Sequence, residues 1–366
     1  MTLATLITKE RHVVWIDILR LIAIMLVVLC HSTEEGIYNF ALDSVVTMQP
    51  EERIFPFVCF TVGRIGVPIF LLISGYLLLD REYNKKATIR FWKKNWLHLI
   101  ACTMFWFLIY DLFLIFNQGK ELQLGEMIQD VLFLYKVDMS HVWHMPMIVG
   151  LYAFIPFVGN ALSKLEDKKL VCIPIAFFFV CLFVYPTFSL AFRIIAPKLR
   201  IMSNQIGAGF SGGIYGIYLL VGWLIKKGTY KKVRWYWLPA FTAISVTAAV
   251  FIQMLSYSRE IRYSIWYDSP FLLIAAVSIV ELFSRMRIKN NHNTIRWLAS
   301  YAFGIYLVHF PFKLLLLDQI MKIDSSKEFK VLLLWGALMA IGLIVSIIIS
   351  SIPKMGNYLL YRRSKE

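Results

Sequence analysis

Charged residues are scarce in this sequence. Only 17% of its 366 residues are Asp, Glu, Lys or Arg, whereas soluble domains keep roughly 25% of their residues charged. Hydrophobic residues make up 59% of the chain, and the mean hydropathy is +0.65. Too few polar side chains are available to cover a water-soluble globule, so the sequence predicts an integral membrane protein.

Acidic residues are scarcer than basic ones, 23 against 38, and the formal net charge at pH 7 is +15. In a soluble domain a basic balance of this size suggests nucleic-acid binding. Here the lysines and arginines occur in short runs between long apolar segments. We therefore exclude nucleic acid as a partner and expect membrane lipids to surround the chain.

Cysteine is also rare, and none of the five cysteines belongs to a CxxC motif or to a Cys/His spacing typical of zinc sites. These absences exclude a disulfide framework and a zinc site. The sequence predicts neither a metal ion nor a bound cofactor. We interpret the cysteines as small hydrophobic residues within apolar stretches.

Long apolar segments account for nearly the whole chain. A helix needs about 20 apolar residues to cross a bilayer core of ~30 Å, and ten segments come close to this length. We therefore predict an all-α, polytopic helical bundle that forms a single transmembrane domain over residues 1–366. The predicted spans are 14–33, 54–79, 97–117, 145–163, 170–190, 207–226, 236–256, 267–284, 298–317 and 331–352.

The basic residues predict how these spans are oriented. More than half of the 38 lysines and arginines lie in the two terminal segments and in the loops that follow even-numbered spans. Cytoplasmic loops carry the excess of Lys and Arg in membrane proteins, so both termini are predicted to be cytoplasmic. The expected location is the inner (cytoplasmic) membrane, which the chain crosses several times.

The sixth predicted span is rich in glycine. It contains the overlapping GxxxG spacings Gly209/Gly213 and Gly212/Gly216. Small residues at this spacing let two helix backbones approach closely. The spacing therefore predicts a close helix contact along this face.

The first predicted span contains two ionisable residues, Arg20 and His31. Such residues are costly in a bilayer and are functional candidates by default. Eleven residues are close to three helical turns, so both side chains project from one face, about 16 Å apart along the axis. They predict a polar path across most of the bilayer. The alternative is a pair of interfacial residues whose side chains extend to opposite surfaces.

Three carboxylates accompany these two residues. Asp17 precedes Arg20 by three positions and can pair with its guanidinium. Glu34 and Glu35 follow His31 by three and four positions, and either can hold the imidazole in one tautomer. A histidine oriented by a carboxylate is typical of general acid–base catalysis.

Four short motifs, in this order along the chain, resemble those of the membrane acyltransferase-3 family. The first is Trp-x-Asp-x-x-Arg, followed by ten residues and His31. The others are RIGVPIFLLISGY at 64–76, HVWH at 141–144 and GIYLVH at 304–309. The resemblance covers nearly the whole chain and is greatest to short members without a fused esterase-like domain, such as the enterobacterial-common-antigen O-acetyltransferases.

Members of this family are integral-membrane O-acyltransferases of bacterial surface glycans and related acceptors. The resemblance implies acetyl-CoA as the cytoplasmic acyl donor and a hydroxyl of an extracytoplasmic glycan, or of a similar molecule, as the acceptor. In this interpretation His31 is the general base, and Arg20 orients the donor or holds the polar network. A covalent acyl-imidazole intermediate is the less favoured alternative.

Other positions within or beside these motifs are further candidates. Arg64 lies near the mid-depth of the second predicted span, where it stabilises a developing oxyanion or braces a carboxylate. Ser74 is interpreted as a pore-lining or packing hydroxyl; the less favoured alternative is a nucleophile, since no neighbouring base is evident. Arg90, Lys93 and Lys94 stand where the family has an Arg-rich cluster and can bind the CoA phosphates. The alternative is that they only orient the chain, since every predicted inner loop is basic.

Two residue pairs are candidates near the outer surface and in the ninth predicted span. Trp143 and His144 begin the fourth predicted span, level with His31, and are predicted to bind the acceptor, although tryptophan is also an ordinary interfacial residue. Tyr306 and His309 lie three positions apart, hence on one helix face, and are predicted to line the pore.

A second class of function stays open from the sequence. A transporter or flippase for a glycan or a small anion would use the same polar path across the membrane. Inverted-repeat transporters carry paired broken helices at corresponding positions of their two halves. No such pair is visible here, so the acyltransferase is the favoured interpretation.

Overall fold

The computed structural model describes residues 13–40, 45, 48–121, 123–134, 138–196, 213–286, 288, 293–352 and 355–361. Within these residues every regular element is helical and no strand occurs. Three π-helical turns (Thr33–Ile37, Trp92–Trp96 and Val180–Val184) and two 3-10 turns (Glu51–Arg53 and Ser140–Trp143) adjoin the α-helices. The α-helices are α1 (Val14–Ser32), α2 (Ile54–Arg64), α3 (Gly66–Leu78), α4 (Lys85–Phe91), α5 (Leu97–Gln118), α6 (Leu124–Val131), α7 (His144–Ser163), α8 (Lys169–Phe179), α9 (Tyr185–Ile195), α10 (Gly213–Lys226), α11 (Trp237–Ser258), α12 (Pro270–Arg285), α13 (Asn293–Ala299), α14 (Ala302–Met321), α15 (Lys327–Ser351) and α16 (Met355–Leu359).

The predicted all-α polytopic bundle is confirmed. Among the described residues, eight continuous helical segments are long and apolar enough to cross a membrane, and they match eight of the ten predicted spans. The sixth predicted span corresponds to the shorter α10, with 207–212 outside the described residues, and the eighth corresponds to α12. The eight segments are Val14–Ile37, Glu51–Leu78, Lys85–Gln118, Ser140–Ser163, Lys169–Ile195, Trp237–Ser258, Ala302–Met321 and Lys327–Ser351.

Polar side chains and a glycine set several helix ends. The side chain of Asn84 accepts a hydrogen bond from the Ala87 amide at 2.9 Å where α4 begins. Ser326 accepts one from the Phe329 amide at 3.3 Å where α15 begins. These side chains satisfy amides that have no partner inside the helix. At the end of α5, Gly119 adopts a left-handed conformation with φ 64°, which glycine tolerates best.

Helix α1 lies at the centre of the bundle and packs against α2, α3, α14 and α15. Two glycines make the closest of these approaches possible. A Cβ atom on Gly63 would lie 2.7 Å from the Cys30 amide nitrogen, and one on Gly66 would lie 2.5 Å from the Ala23 carbonyl oxygen. Backbones approach this closely only where no side chain intervenes. The contact at Gly63 brings Arg64, the next residue, beside the last turn of α1.

A second glycine contact joins α3 to α10. A Cβ atom on Gly75 would overlap the Leu219 carbonyl, and one on Gly222 would overlap the Leu72 carbonyl. By contrast, a Cβ atom on Gly216 would meet nothing within 4 Å. The predicted close contact at Gly216 is therefore wrong, because the helix turns a different glycine toward its neighbour. Gly209 and Gly212 lie outside the described residues.

Large apolar side chains cover the outside of the bundle. Phe116 is 84% exposed and Ile195 is 79% exposed. An apolar surface of this extent is unfavourable in water and is typical of a protein surrounded by lipid. Further exposed apolar residues on the long helices include Phe154, Ile173, Phe177, Ile244, Phe251, Ile344 and Ile348.

Candidate active site

Three buried histidines meet where α1, α7 and α14 converge, and we call them the histidine cluster. His31 lies in the last turn of α1, His141 in the 3-10 turn before α7, and His309 in α14. The His309 ring centroid is 5.4 Å from those of both His31 and His141, and the latter two are 6.3 Å apart. Ionisable side chains within membrane helices are costly, so the cluster indicates a functional site.

Glu35 is the carboxylate that faces His31. Its Oε2 atom lies 3.7 Å from His31 Nδ1. The same oxygen accepts hydrogen bonds from Lys313 Nζ at 3.1 Å and from the Ser140 hydroxyl. Because Nδ1 faces the carboxylate, Nε2 is the ring nitrogen available to another molecule. Of the two glutamates that the spacing allows, the geometry places Glu35 beside His31.

Glu34 faces Arg64 instead. Arg64 Nη2 donates a hydrogen bond to Glu34 Oε2 at 2.6 Å, and Nη1 donates to the Tyr267 hydroxyl oxygen at 3.3 Å. The buried guanidinium lies 4.4 Å from the Trp266 ring centroid. The π-helical turn Thr33–Ile37 thus directs two successive carboxylates to two different partners.

Lys313 is a residue of this site that the sequence interpretation missed. Its side chain is 2% exposed, and Nζ lies 3.6 Å from the Phe310 ring centroid. Among the described residues, Glu35 is its hydrogen-bond partner. The rule that ionisable residues within a span are functional candidates could have found it, since it lies inside the predicted span 298–317.

The backbone of α14 fixes the tautomer of His309. Its Nδ1 atom lies 2.6 Å from the Tyr306 carbonyl oxygen and 3.2 Å from the Ile305 carbonyl oxygen. A carbonyl only accepts hydrogen bonds, so Nδ1 carries the hydrogen. In the neutral ring Nε2 is then a bare acceptor, and it is buried without a hydrogen-bond partner.

A chain of hydrogen bonds likewise holds His141. The Tyr110 hydroxyl donates to the Leu307 carbonyl at 2.8 Å, and its oxygen lies 3.3 Å from His141 Nε2. Since the hydroxyl hydrogen is already used, Nε2 is the donor and Nδ1 is the bare acceptor. The Tyr306 hydroxyl donates to the His141 carbonyl at 2.8 Å. Tyr306 therefore contacts the histidine cluster, and His309, predicted to share its helix face, is a member of that cluster.

A cavity opens beside the histidine cluster. It brings the predicted base, His31, together with both residues that were predicted to bind the acceptor. His144, one of that pair, has no hydrogen-bond partner at either ring nitrogen. Residues lining the cavity include His31, His141, Trp143, His144, Tyr267 and Tyr306.

Aromatic side chains surround Trp143, and we call this group the aromatic wall. The Trp143 ring centroid lies 5.4 Å from that of Tyr215, 5.5 Å from that of Trp266 and 5.2 Å from that of Tyr267. Its members come from the 3-10 turn before α7, from α10 and from the segment before α12. Apart from Trp143 they were missed in the sequence, because nothing in the local pattern brings these segments together.

Arg20 lies away from the histidine cluster, toward the start of α1. Its Nη1 atom donates a hydrogen bond to Asp17 Oδ1 at 3.2 Å. The Asp17 side chain is 4% exposed and that of Arg20 is 39% exposed. At the same end, Tyr76 packs edge-on against Trp15. Lys226 Nζ lies 4.7 Å from the centroid of the Tyr76 ring. Arg20 and His31 therefore mark two separate polar regions of one helix.

The structure does not bring the remaining predicted residues to the cavity. Arg90, Lys93 and Lys94 are exposed on α4 and the turn after it, with no ion pair to any described residue. Ser74 Oγ lies 3.3 Å from the Tyr152 hydroxyl, apart from the histidine cluster. Across the described part of the chain, no group of three or more His, Cys, Asp or Glu side chains is arranged to hold a metal ion.

These features define a multi-pass membrane protein with a buried histidine site. The chain belongs to the acyltransferase-3 family, whose model, described as an acyltransferase domain, matches residues 13–351. The resemblance of its motifs to this family is confirmed, and the protein is a membrane acyltransferase. Comparisons with curated proteins and with solved structures found no match.

Proposed function

We propose that this membrane acyltransferase is an O-acetyltransferase. It moves an acetyl group from cytoplasmic acetyl-CoA to a hydroxyl of an extracytoplasmic cell-surface glycan, with His31 as the general base. The observation that carries the proposal is the His31–Glu35 pair, which lies beside a cavity with an aromatic wall. An oriented histidine at a cavity is the arrangement that proton removal from a hydroxyl requires.

The surroundings of Glu35 support the assignment of His31. Lys313 and Ser140 both donate hydrogen bonds to Glu35 Oε2, so the carboxylate is held in place from two directions. At 3.7 Å the carboxylate lies within ion-pair distance of Nδ1 but does not form a hydrogen bond with it. Its charge stabilises the imidazolium that forms when Nε2 takes a proton. Nε2 is then the atom that contacts the acceptor hydroxyl.

The proposed reaction needs no covalent enzyme intermediate. The acceptor oxygen forms a bond to the thioester carbonyl carbon while its proton moves to His31 Nε2. Collapse of the tetrahedral intermediate breaks the carbon–sulfur bond, and the imidazolium returns the proton to the departing CoA sulfur. The products are an acetyl ester and free CoA, and His31 is regenerated.

The length of α1 suits a donor that stays on the cytoplasmic side. Arg20 and His31 are about 16 Å apart along the helix axis, a distance of the order of the pantetheine arm of CoA. The charged nucleotide can therefore remain near Arg20 while the thioester reaches His31. In this proposal the exposed Arg90, Lys93 and Lys94 bind the CoA phosphates.

The aromatic wall supports a glycan as the acceptor. Flat aromatic faces such as that of Trp143 offer a large contact area together with a polar edge, which suits the ring of a sugar. His144 lines the same cavity with two ring nitrogens that have no partner. These nitrogens can form hydrogen bonds with the hydroxyl groups that a sugar presents.

The experiment follows radiolabelled acetyl-CoA into the glycan fraction of membrane vesicles from cells that produce the protein. Wild-type protein should transfer the label, and His31→Ala should lower the rate by at least about 10²-fold, as expected for loss of a general base. His98→Ala is the matched control, because the His98 ring packs against Tyr361 with centroids 5.1 Å apart and does not line the cavity. It should retain the wild-type rate.

Two outcomes would contradict the proposal. Undiminished transfer by a folded His31→Ala variant would exclude His31 as the base. Movement of a glycan across proteoliposome membranes without an acetyl product would favour a transporter. Mass analysis of the labelled glycan would identify both the acyl group and the acceptor.

A further inference from the structure

Tyr267 places a hydroxyl group at the cavity beside His31. The residue lies in the segment between α11 and α12, and its side chain is buried. The Tyr218 hydroxyl donates a hydrogen bond to the Tyr267 carbonyl at 3.0 Å, which fixes the backbone at this point. Tyr267 and His31 line the same cavity, so a molecule bound there can contact both.

The two tyrosines that line this cavity differ in the use of their hydroxyl hydrogens. Tyr306 donates its hydrogen to the His141 carbonyl at 2.8 Å, so that hydrogen is already engaged. Tyr267 accepts a hydrogen bond from Arg64 Nη1 at 3.3 Å. A guanidinium only donates, so the Tyr267 oxygen is the acceptor in this contact. Its own hydrogen has no acceptor among the described residues.

Arg64 makes Tyr267 a stronger donor. The guanidinium is held by Glu34 at 2.6 Å and by the face of Trp266, with 4.4 Å to the ring centroid. The positively charged guanidinium that donates to the hydroxyl oxygen draws electron density from the O–H bond and strengthens the hydrogen bond that the hydroxyl donates. A tyrosine hydroxyl has an ordinary pKa of about 10, so the group keeps its hydrogen at neutral pH.

Acyl transfer from a thioester needs such a donor. When the acceptor oxygen bonds to the carbonyl carbon, the carbonyl electron pair moves onto oxygen, and a hydrogen bond aimed at that oxygen stabilises the transition state. We infer that the Tyr267 hydroxyl donates this hydrogen bond. This inference rests on the proposed acetyl transfer. Tyr267 keeps its proton throughout, while the proton of the acceptor moves through His31 to the CoA sulfur.

The assignment also gives Arg64 an indirect role. The described residues that line the cavity include Tyr267 but not Arg64. Two of the guanidinium nitrogens are already bound to Glu34 and Tyr267. Arg64 is thus a positioning residue that acts through the hydroxyl, and Tyr267 is the group that contacts the reacting oxygen.

The test is Tyr267→Phe, which removes one oxygen atom and keeps the ring against Trp143. Initial rates of acetyl transfer are measured in membrane vesicles at varied acetyl-CoA concentration. The apparent kcat should fall about 10²-fold to 10³-fold, as for removal of one oxyanion donor. The apparent KM for acetyl-CoA should stay within about twofold, because the hydrogen bond forms with the charged oxygen of the transition state.

Tyr257→Phe is the matched control. Tyr257 is also buried, and its ring lies 5.1 Å from that of Phe57, outside the residues that line the cavity. It should keep the wild-type kcat. Both variants should unfold in a single thermal transition in detergent, and Tyr267→Phe should melt at a somewhat lower temperature because Arg64 loses one acceptor. His144→Phe is measured in parallel, because His144 is another possible donor at this cavity.

The outcomes separate this inference from the proposed function. The role of Tyr267 alone would be overturned if wild type transfers acetyl groups, His31→Ala does not, and Tyr267→Phe keeps the wild-type kcat. A loss of kcat with His144→Phe but not with Tyr267→Phe would likewise overturn it. A rise in KM for acetyl-CoA with unchanged kcat would show simple donor binding and would also overturn it. Absence of transfer by wild type would overturn both proposals.

Discussion

Lys313 Nζ lies 3.1 Å from Glu35 Oε2, and this ion pair joins α14 to the turn that follows α1. The Lys313 side chain is 2% exposed, so solvent does little to compensate its charge. Glu35 in turn lies 3.7 Å from His31 Nδ1. The position of the carboxylate beside the proposed base therefore depends on a lysine from a distant part of the chain.

Replacing Lys313 with methionine should destabilise the protein and lower its activity. Glu35 would keep a charge without its main partner. Because the Glu35 side chain is 28% exposed, the cost should lie below the ~3–5 kcal/mol of breaking a fully buried pair. Acetyl transfer should fall at least about tenfold, because the carboxylate no longer holds His31 in one orientation. Thermal unfolding in detergent and labelled transfer in vesicles measure the two effects.

The double variant Lys313→Met/Glu35→Gln provides the control for this prediction. It removes both charges, so the melting temperature should recover toward that of wild type, while the transfer rate stays low. Additive losses of stability in the double variant would show that the two side chains do not interact. Recovery of transfer would contradict the role given to Glu35.

Arg64 binds two partners through separate nitrogens of one planar group. Lysine has a single nitrogen on a flexible chain and cannot reproduce this fork. Arg64→Lys should therefore lower transfer by about 10-fold to 10²-fold through loss of the contact to Tyr267 or to Glu34. Arg234→Lys is the matched control, since Arg234 is exposed and donates to Tyr236 at 2.8 Å. Equal rates for the two variants would contradict the prediction.

Some contacts of the candidate site could be predicted from the sequence and others could not. Helical periodicity places Asp17 near Arg20 and a glutamate near His31, because such neighbours lie one turn apart. The choice between Glu34 and Glu35 depends on a π-helical turn, which residue spacing does not reveal. The contacts of Lys313 with Glu35 and of Tyr267 with Arg64 join residues 278 and 203 positions apart. Only the packing of helices creates them.

The fold likewise has features that the sequence predicts and features that it does not. Apolar length predicts the helices because a bilayer requires that length of each span. Contacts between helices depend on which face a neighbour covers, and a GxxxG spacing indicates only that a close approach is possible. Gly216 makes no close helix contact, whereas Gly222, six residues further along α10, meets the backbone of α3.

These two glycines of α10 therefore make a matched pair of variants. Gly222→Ala should reduce folded yield and stability, because its methyl group would overlap the Leu72 carbonyl, and overpacking of this kind costs about 1–3 kcal/mol. Gly216→Ala should be neutral or slightly stabilising, since alanine favours a helix and the space is open. Yield after detergent extraction and melting temperature measure both. Equal behaviour of the two variants would contradict the described packing of α3 and α10.

The exposed basic group on α4 and its following turn offers a test of donor binding. Replacing Arg90, Lys93 and Lys94 with glutamine should raise the apparent KM for acetyl-CoA about tenfold, as expected from the loss of several exposed charge pairs with phosphate. The kcat at saturating donor should not change, because these residues lie apart from the histidine cluster. Replacing Lys164 and Lys169, exposed residues of another predicted inner loop, should leave KM unchanged. An equal rise in KM for both sets would mean that general basic charge, rather than a specific site, attracts the donor.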